Sequence, residues 1–486
     1  MMIDAVRYAS LGELLRDAFV QFKSSTALIE IDRKRERARY SYGDASREAA
    51  KVAAYFERVG VGAGDRVAIA LSNQSKYVLA AYAAFHRGAV VVPIDYKLTA
   101  KERLALLAHA KPKAIVTEMS LHQSDVATAA PNVLLIDAPE GRDVGAAVRW
   151  EALDAPLAPP AFVPRAREDI ATIVYSSGTG GTPKGCMLSH GAYLSQYTLL
   201  SKRYPMVEGD RYFSILPTNH AIDFMCGFVG PLAGGATVVH QRTLRPEFLV
   251  ETMKSQRITH MAVVPMILAA FERAIREKLD ALPPWKKLAF EAAANLNASL
   301  TEKAPRPEVS RKLLAQVHDA FGGELRFLFC GGAFVERERA EFFYRLGIPV
   351  AIGYGLTEAC TVATVNDLKP FRGDSVGSAI DGVTVRIVDA DTHGVGEVEV
   401  GGPTLMTGYL DEPELTAAAF TDDGFLRTGD LGYLDGAHHL RLLGRRKNMI
   451  VTEGGKNVYP EDIEAAFVDV PSEESCVFAA NYVWPK

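Results

Sequence analysis

Residues 175–185 read YSSGTGGTPKG, setting four Ser and Thr hydroxyls and four glycines around one lysine directly after the apolar run DIATIVY. Such a loop can wrap backbone N–H groups and hydroxyls around phosphate oxygens, because glycine tolerates the backbone angles and the close approach this requires. It is not a Walker A loop, which wants Gly before the lysine and Ser or Thr after it; here Pro183 and Gly185 flank Lys184. A P-loop kinase or GTPase is therefore disfavoured, and a glycine-rich turn holding no ligand is the plain alternative. The eleven histidines include no HExxH or HxxxH pair, and the five cysteines (Cys186, Cys226, Cys330, Cys360, Cys476) are at least 30 residues apart. Catalytic zinc, a CxxC knuckle and a small-domain disulfide framework all lack support.

The elements that must position this loop alternate in type. From residue 44, DASREAAKVAAYFERVG has helical period, RVAIAL reads as a strand, SKYVLAAYAAFHRG as a helix and AVVVPI as a strand. Thr99 with Glu102 three residues on forms a capping box for KERLALLAHA, and AIVTE follows as a strand. This spacing predicts a parallel sheet covered by helices. Residues 151–166, EALDAPLAPPAFVPRA, have no period and four prolines, so they read as an extended connection. A second alternating stretch carries RITHMAVVP, LRFLFCGG and PVAIGYG as buried strands. Beyond residue 375, TVRIVD, GEVEVGG, GFLRTGDLGYLD and HHLRLLGRR are short segments between Gly and Asp turns, the pattern of a small antiparallel barrel or sheet. The expected fold class is α/β: two α/β subdomains (1–165 and 166–360) followed by a small β subdomain (361–443), with residues 444–486 beyond it.

Fifty-four Lys and Arg against fifty-nine Asp and Glu give a net charge of −5, which does not favour nonspecific nucleic-acid binding. The basic run at 33–40, RKRERARY, reads as a solvated strand edge. The N-terminal stretch carries Asp4, Glu13 and Asp17 through its apolar positions, unlike a secretory signal, and no stretch nears eighteen uninterrupted apolar residues. A cytoplasmic protein with no integral membrane segment is expected, with peripheral membrane contact left open.

In order along the chain come YSSGTGGTPKG, PTNHA at 217, CGGA at 330, GYGLTE at 353, RTGDLGYLD at 427 and GRRKNMIVTEGGKNVYPEDIE at 444. These six motifs together resemble the adenylate-forming superfamily of acyl-CoA synthetases, luciferases and peptide-synthetase adenylation domains, over nearly the whole chain. FGGELRFLFCGGA, AEFFYRLGIPV and GGKNVYPEDIE are most similar to long-chain fatty acyl-CoA synthetases. The resemblance implies two half-reactions with ATP, Mg²⁺ and CoA: a carboxylate attacks the α-phosphate to give acyl-adenylate and pyrophosphate, then a thiol attacks the acyl carbonyl and releases AMP.

Carried over by position, Ser176, Ser177, Gly178, Thr179, Gly180, Gly181, Thr182 and Lys184 would hold the β- and γ-phosphates. Glu358 would ligate Mg²⁺ and Thr357 bond the α-phosphate. Tyr354 would stack on adenine, with Gly331, Gly332 and Ala333 as the opposite wall and Gly355 also in the nucleotide site, and Asp430 and Arg445 would take the ribose hydroxyls. His220 would gate the acyl pocket, with Phe224, Val264 and Gly353 facing the acid; as a lone histidine it would be a core residue. The run AIDFMCGFVGPL suits an acyl chain, but Asp223 within it could pair a substrate amine or simply cap. Lys447 matches the hinge between the two half-reactions, and Gly454 and Gly455 the CoA tunnel; the resemblance also implies αβαβα layers for the two large subdomains and makes 444–486 the hinge and the start of a truncated small α+β domain that is mostly absent.

Two departures stand out. Gly180 replaces the second threonine usual in this loop, which removes a hydroxyl from the phosphate site. Only 39 residues follow Lys447, and the family's terminal PKTxxGK segment, whose lysine bridges carboxylate and α-phosphate, has no match before WPK. A chain cut short, slow to form adenylate, is the expectation. Loading of an acyl or amino acid onto a carrier protein, and nucleotide or acyl-adenylate binding without full catalysis, remain alternatives.

Overall fold

The computed structural model describes residues 4–122, 130–176, 184–447, 450–451 and 457–458. The phosphate-loop residues 177–183, Gly454, Gly455 and Cys476 lie outside the described residues.

Two large sheets form the body. In spatial order the nine-stranded sheet runs Ser378–Ala379, Thr364–Val365, Val350–Tyr354, Phe327–Gly331, His260–Val263, Arg211–Ser214, Thr237–Gln241, Thr26–Asp32, Arg35–Ser41. Its centre is parallel, and antiparallel segments close both ends. The basic strand Arg35–Ser41 is the solvated edge its composition suggested. The eight-stranded sheet runs Gly408–Tyr409, Lys184–Ser189, Ile170–Ser176, Val90–Pro93, Arg66–Ala70, Ala114–Glu118, Asn132–Ile136, Val148–Arg149. A four-stranded antiparallel sheet (Thr384–Val388, Gly396–Gly401, Leu426–Leu434, Leu440–Arg445) stands beside them.

Helices fill the space between the large sheets. Ser75–His86 is apolar nearly all round and buried from Tyr77 to Phe85, as a helix must be when both its faces meet a sheet. The capping box at Thr99 forms as read: Glu102 N–H donates to Thr99 Oγ1 while Thr99 N–H donates to Glu102 Oε2 at 2.8 Å.

Sheet membership does not follow the expected boundaries. Thr26–Asp32 pairs with Thr237–Gln241 of the other sheet, Ile170–Ser176 and Lys184–Ser189 join the first subdomain's sheet, and Gly408–Tyr409 pairs with Lys184–Ser189. Local periodicity reports element type; which sheet a strand enters is decided by packing between distant segments.

After Ala221–Asp223 the chain makes one π-helical stretch, Phe224–Val229. Asp223 is fully buried beneath it and accepts hydrogen bonds from Tyr212 Oη (3.1 Å), Ser214 Oγ (2.7 Å) and Thr218 Oγ1 (3.0 Å). A Cβ on Gly227 would sit 2.4 Å from Asp223 Oδ1, so this turn needs glycine to close over the carboxylate.

Candidate active site

A cleft of about 1100 Å³ opens where the two large sheets meet the small one. Ser176 and Lys184 enter it from adjacent strands, register partners at either end of residues 177–183. Thr357 and Glu358 enter on the 3₁₀ turn Thr357–Ala359, and Arg445 to Lys447 from the end of Leu440–Arg445.

The turn that presents Glu358 is tightly wound. Thr361 N–H donates back to Leu356 C=O at 3.1 Å, and a Cβ on Gly355 would lie 1.8 Å from Thr361 O. GYGLTE therefore demands its second glycine for geometry, quite apart from any ligand. At the neighbouring strand ends Gly331 and Gly353 are register partners, so two side-chain-free positions lie abreast, with Gly332 and Ala333 exposed beyond them.

Tyr354, Asp430 and Arg445 form one chain of contacts across the sheets. Tyr354 Oη donates to Asp430 Oδ2 at 2.6 Å, and Arg445 Nε lies 3.1 Å from Asp430 Oδ1. Burial raises the Asp430 pKa, opposed by the Tyr354 hydrogen bond and the Arg445 charge. The same burial, with the Asp430 charge, pushes the Tyr354 phenol well up, so it remains a donor.

A second set carries negative charge toward the cleft. Tyr409 Oη donates to Glu358 Oε1 at 3.0 Å, and Lys184 Nζ sits 5.1 Å from the Tyr409 ring centroid. Cys186 is buried beside Glu358, and both effects hold its thiol neutral. Among the described residues no group of three or more His, Cys, Asp or Glu could hold a metal alone. One carboxylate still fits Mg²⁺, which keeps several waters and takes the rest of its shell from substrate phosphates.

His220, the N-cap of Ala221–Asp223, has 57 % of its side chain exposed and faces the cleft near Asp95 at 3.8 Å, so it is no core histidine. Asp223 and Phe224 point away from the cleft. The Asp223 carboxylate is consumed by three hydroxyls, which removes the basis for pairing a substrate amine there. Phe224, expected at the acyl pocket, packs in the core against Phe85, Tyr193 and Phe228 because the π-helical turn rotates it inward. Val264 caps the helix Pro265–Asp280, half-buried against the core. Lys447 is exposed at the cleft rim; next to it Arg446 is held by Glu397 Oε2 at 2.6 Å. Sequence reasoning missed Tyr409, Asn219 and Glu397. GYL after a glycine-rich stretch offered only a turn signal for Tyr409.

The AMP-binding enzyme family model matches residues 15–410. The chain belongs to the AMP-binding enzyme family. A 3-[(3aS,4S,7aS)-7a-methyl-1,5-dioxo-octahydro-1H-inden-4-yl]propanoyl:CoA ligase of Mycobacterium tuberculosis is 30 % identical over 94 % of this chain and 82 % of its own length. Long-chain-fatty-acid–CoA ligase 1 of Saccharomyces cerevisiae is 29 % identical over 63 % of this chain and 45 % of its own. The ATP-bound structure of MatB from Rhodopseudomonas palustris superposes with a TM-score of 0.73 at 26 % identity, covering 95 % of this chain and 84 % of that one.

Proposed function

We propose that this family member is an AMP-forming acid–CoA ligase acting on an apolar carboxylic acid, with a fatty acid as the expected class. The observation that carries the reading is one cleft that gathers Lys184, Thr357 and Glu358, suited to phosphates, with Arg445, which is tied to the buried Asp430 and through it to Tyr354, a set suited to a nucleoside.

In the first half-reaction a carboxylate oxygen of the acid forms a bond to the α-phosphorus of ATP, and the bond to the departing pyrophosphate breaks. In the second, the CoA thiolate forms a bond to the acyl carbon, and AMP leaves with the electron pair of the acyl–oxygen bond. Asp430 and Arg445 hold the ribose hydroxyls, and Tyr354 closes one side of the base. The Thr357 hydroxyl donates to the α-phosphate and Lys184 to the phosphates that leave, so that donors face the oxygens where charge grows. Glu358 would hold Mg²⁺, which when bound would neutralise charge on the triphosphate. His220 screens the acid from the nucleotide, and Lys447 marks the pivot between the half-reactions.

The acid's apolar part has a natural wall beside the π-helical turn. There Met225 and Cys226 meet Tyr197, Leu200, Tyr204 and Phe329 around a void of about 30 Å³. An acyl chain enters there only if these side chains move, Met225 most easily. Relatives act on a bicyclic propanoate and on long-chain fatty acids, so chain shape is the open variable.

Pyrophosphate release with ATP, Mg²⁺, CoA and a panel of straight-chain, ring-bearing and amino acids tests the reading. Fatty acids should lead. Turnover with amino acids, or with a carrier protein in place of CoA, would transfer the assignment to carrier loading.

A further inference from the structure

Tyr409 touches both charged groups that the proposed reaction needs at the phosphate end of the cleft, yet it belongs to neither of their segments. It is 8 % exposed, and its phenol oxygen lies 3.0 Å from Glu358 Oε1 while its ring faces Lys184 Nζ at 5.1 Å from the centroid.

The backbone around it is tied to both neighbours. Met406 N–H donates to Glu358 C=O at 2.8 Å, Thr407 N–H to Met187 C=O at 2.9 Å, and Leu410 N–H to Gly185 C=O at 2.8 Å. Tyr409 N–H donates to Thr416 Oγ1 at 2.9 Å, and Gly408 takes φ +150, where a Cβ would lie 2.7 Å from Thr416 Cγ2. Residues 406–410 thus strap the strand carrying Lys184 to the turn carrying Glu358.

We propose that Tyr409 is a positioning residue: its hydroxyl fixes one oxygen of Glu358 so that the carboxylate meets a phosphate-bound divalent cation in one orientation, and its ring holds the Lys184 ammonium over the same phosphates. This rests on the ligase reading above. The two contacts act through different atoms. A hydroxyl that orients a metal-ligating carboxylate is the kind of outer contact whose loss weakens metal affinity. An aromatic face attracts an ammonium whether or not it carries a hydroxyl.

The two roles separate by substitution. Tyr409→Phe keeps the ring and loses the hydroxyl; Tyr409→Leu loses both. ATP binding is measured by calorimetry with Mg²⁺ and with EDTA, alongside Glu358→Gln, with thermal unfolding to confirm that each variant is folded. Tyr409→Phe should lose on the order of ten- to hundredfold in the Mg²⁺-dependent part of ATP affinity. It should match wild type in EDTA. Tyr409→Leu should be weaker in both, and a merely structural tyrosine would shift both conditions alike. If Glu358→Gln loses the Mg²⁺ dependence while Tyr409→Phe keeps it, the inference falls and the ligase reading stands. If wild type binds ATP equally with and without Mg²⁺, Glu358 is no metal ligand and both fall.

Discussion

At Asp430 three demands meet on one carboxylate: the Tyr354 phenol, the Arg445 guanidinium and, in the proposed complex, the ribose. Burial raises its pKa, so its charge is kept by those partners rather than by water. Asp430→Ala should weaken ATP and AMP together, by on the order of tenfold to a hundredfold, because hydrogen bonds to a charged group contribute about 1.5 to 3 kcal/mol. Calorimetry with AMP checks this; unchanged AMP affinity would reject the ribose assignment. That Thr357 and Glu358 stand on a tightly wound turn at the cleft was legible because GYGLTE carries a glycine that the turn requires, visible here at Gly355. Tyr409 was not, since a tyrosine at the end of a two-residue strand looks like any core tyrosine. Asp223 misled for the opposite reason: an acid in an apolar run invites a ligand, and only the three hydroxyls, from Tyr212, Ser214 and Thr218, reveal where its hydrogen bonds go.

At the scale of elements, the π-helical turn Phe224–Val229 sits over that buried acid. Burial lifts the Asp223 carboxyl to about 6, against hydrogen bonds that lower it. A raised acid pKa means that between about pH 4 and 6 the folded protein holds a proton the unfolded chain has released. Stability therefore falls as pH rises through that window and stays lowered above it, by up to about 3 kcal/mol for a shift of this size. Asp223→Asn cannot titrate. In urea unfolding its stability relative to wild type should improve by about 1 to 3 kcal/mol between pH 4.5 and pH 8; a constant difference would show that Asp223 is ionised throughout. The alternation of strand and helix and the capping box at Thr99 could be read from spacing because both are local. The crossing of Thr26–Asp32 into the second sheet could not, since its partner Thr237–Gln241 lies some two hundred residues on and pairs through backbone atoms that every residue has.

For the whole molecule, interleaved strands make the cleft a seam that no single segment owns, so the site depends on the two large sheets holding their relation. The helix Pro284–Thr301 lies on the outside of this body. Ala294, Asn297 and Thr301 face inward, while Trp285 (68 % exposed), Leu288 (73 %), Leu296 (49 %) and Leu300 (41 %) form an apolar stripe on the other side. No helix among the described residues is long and apolar enough to cross a membrane. On the proposed ligase reading, this stripe would meet a lipid surface. The helix's charged side chains are Lys286, Lys287 and Glu291, of which Lys287 pairs with Asp280 at 2.5 Å and Glu291 with Arg345 at 2.5 Å. If the acid is a fatty acid, contact with the lipid that dissolves it belongs to the proposed function. The protein should then pellet with vesicles containing anionic lipid, less so at high salt. Trp285→Glu with Leu296→Glu should release it while leaving turnover of a short, water-soluble acid unchanged, because neither side chain lines the cleft. Wild-type protein that stays in the supernatant at low salt would leave this stripe without a lipid role.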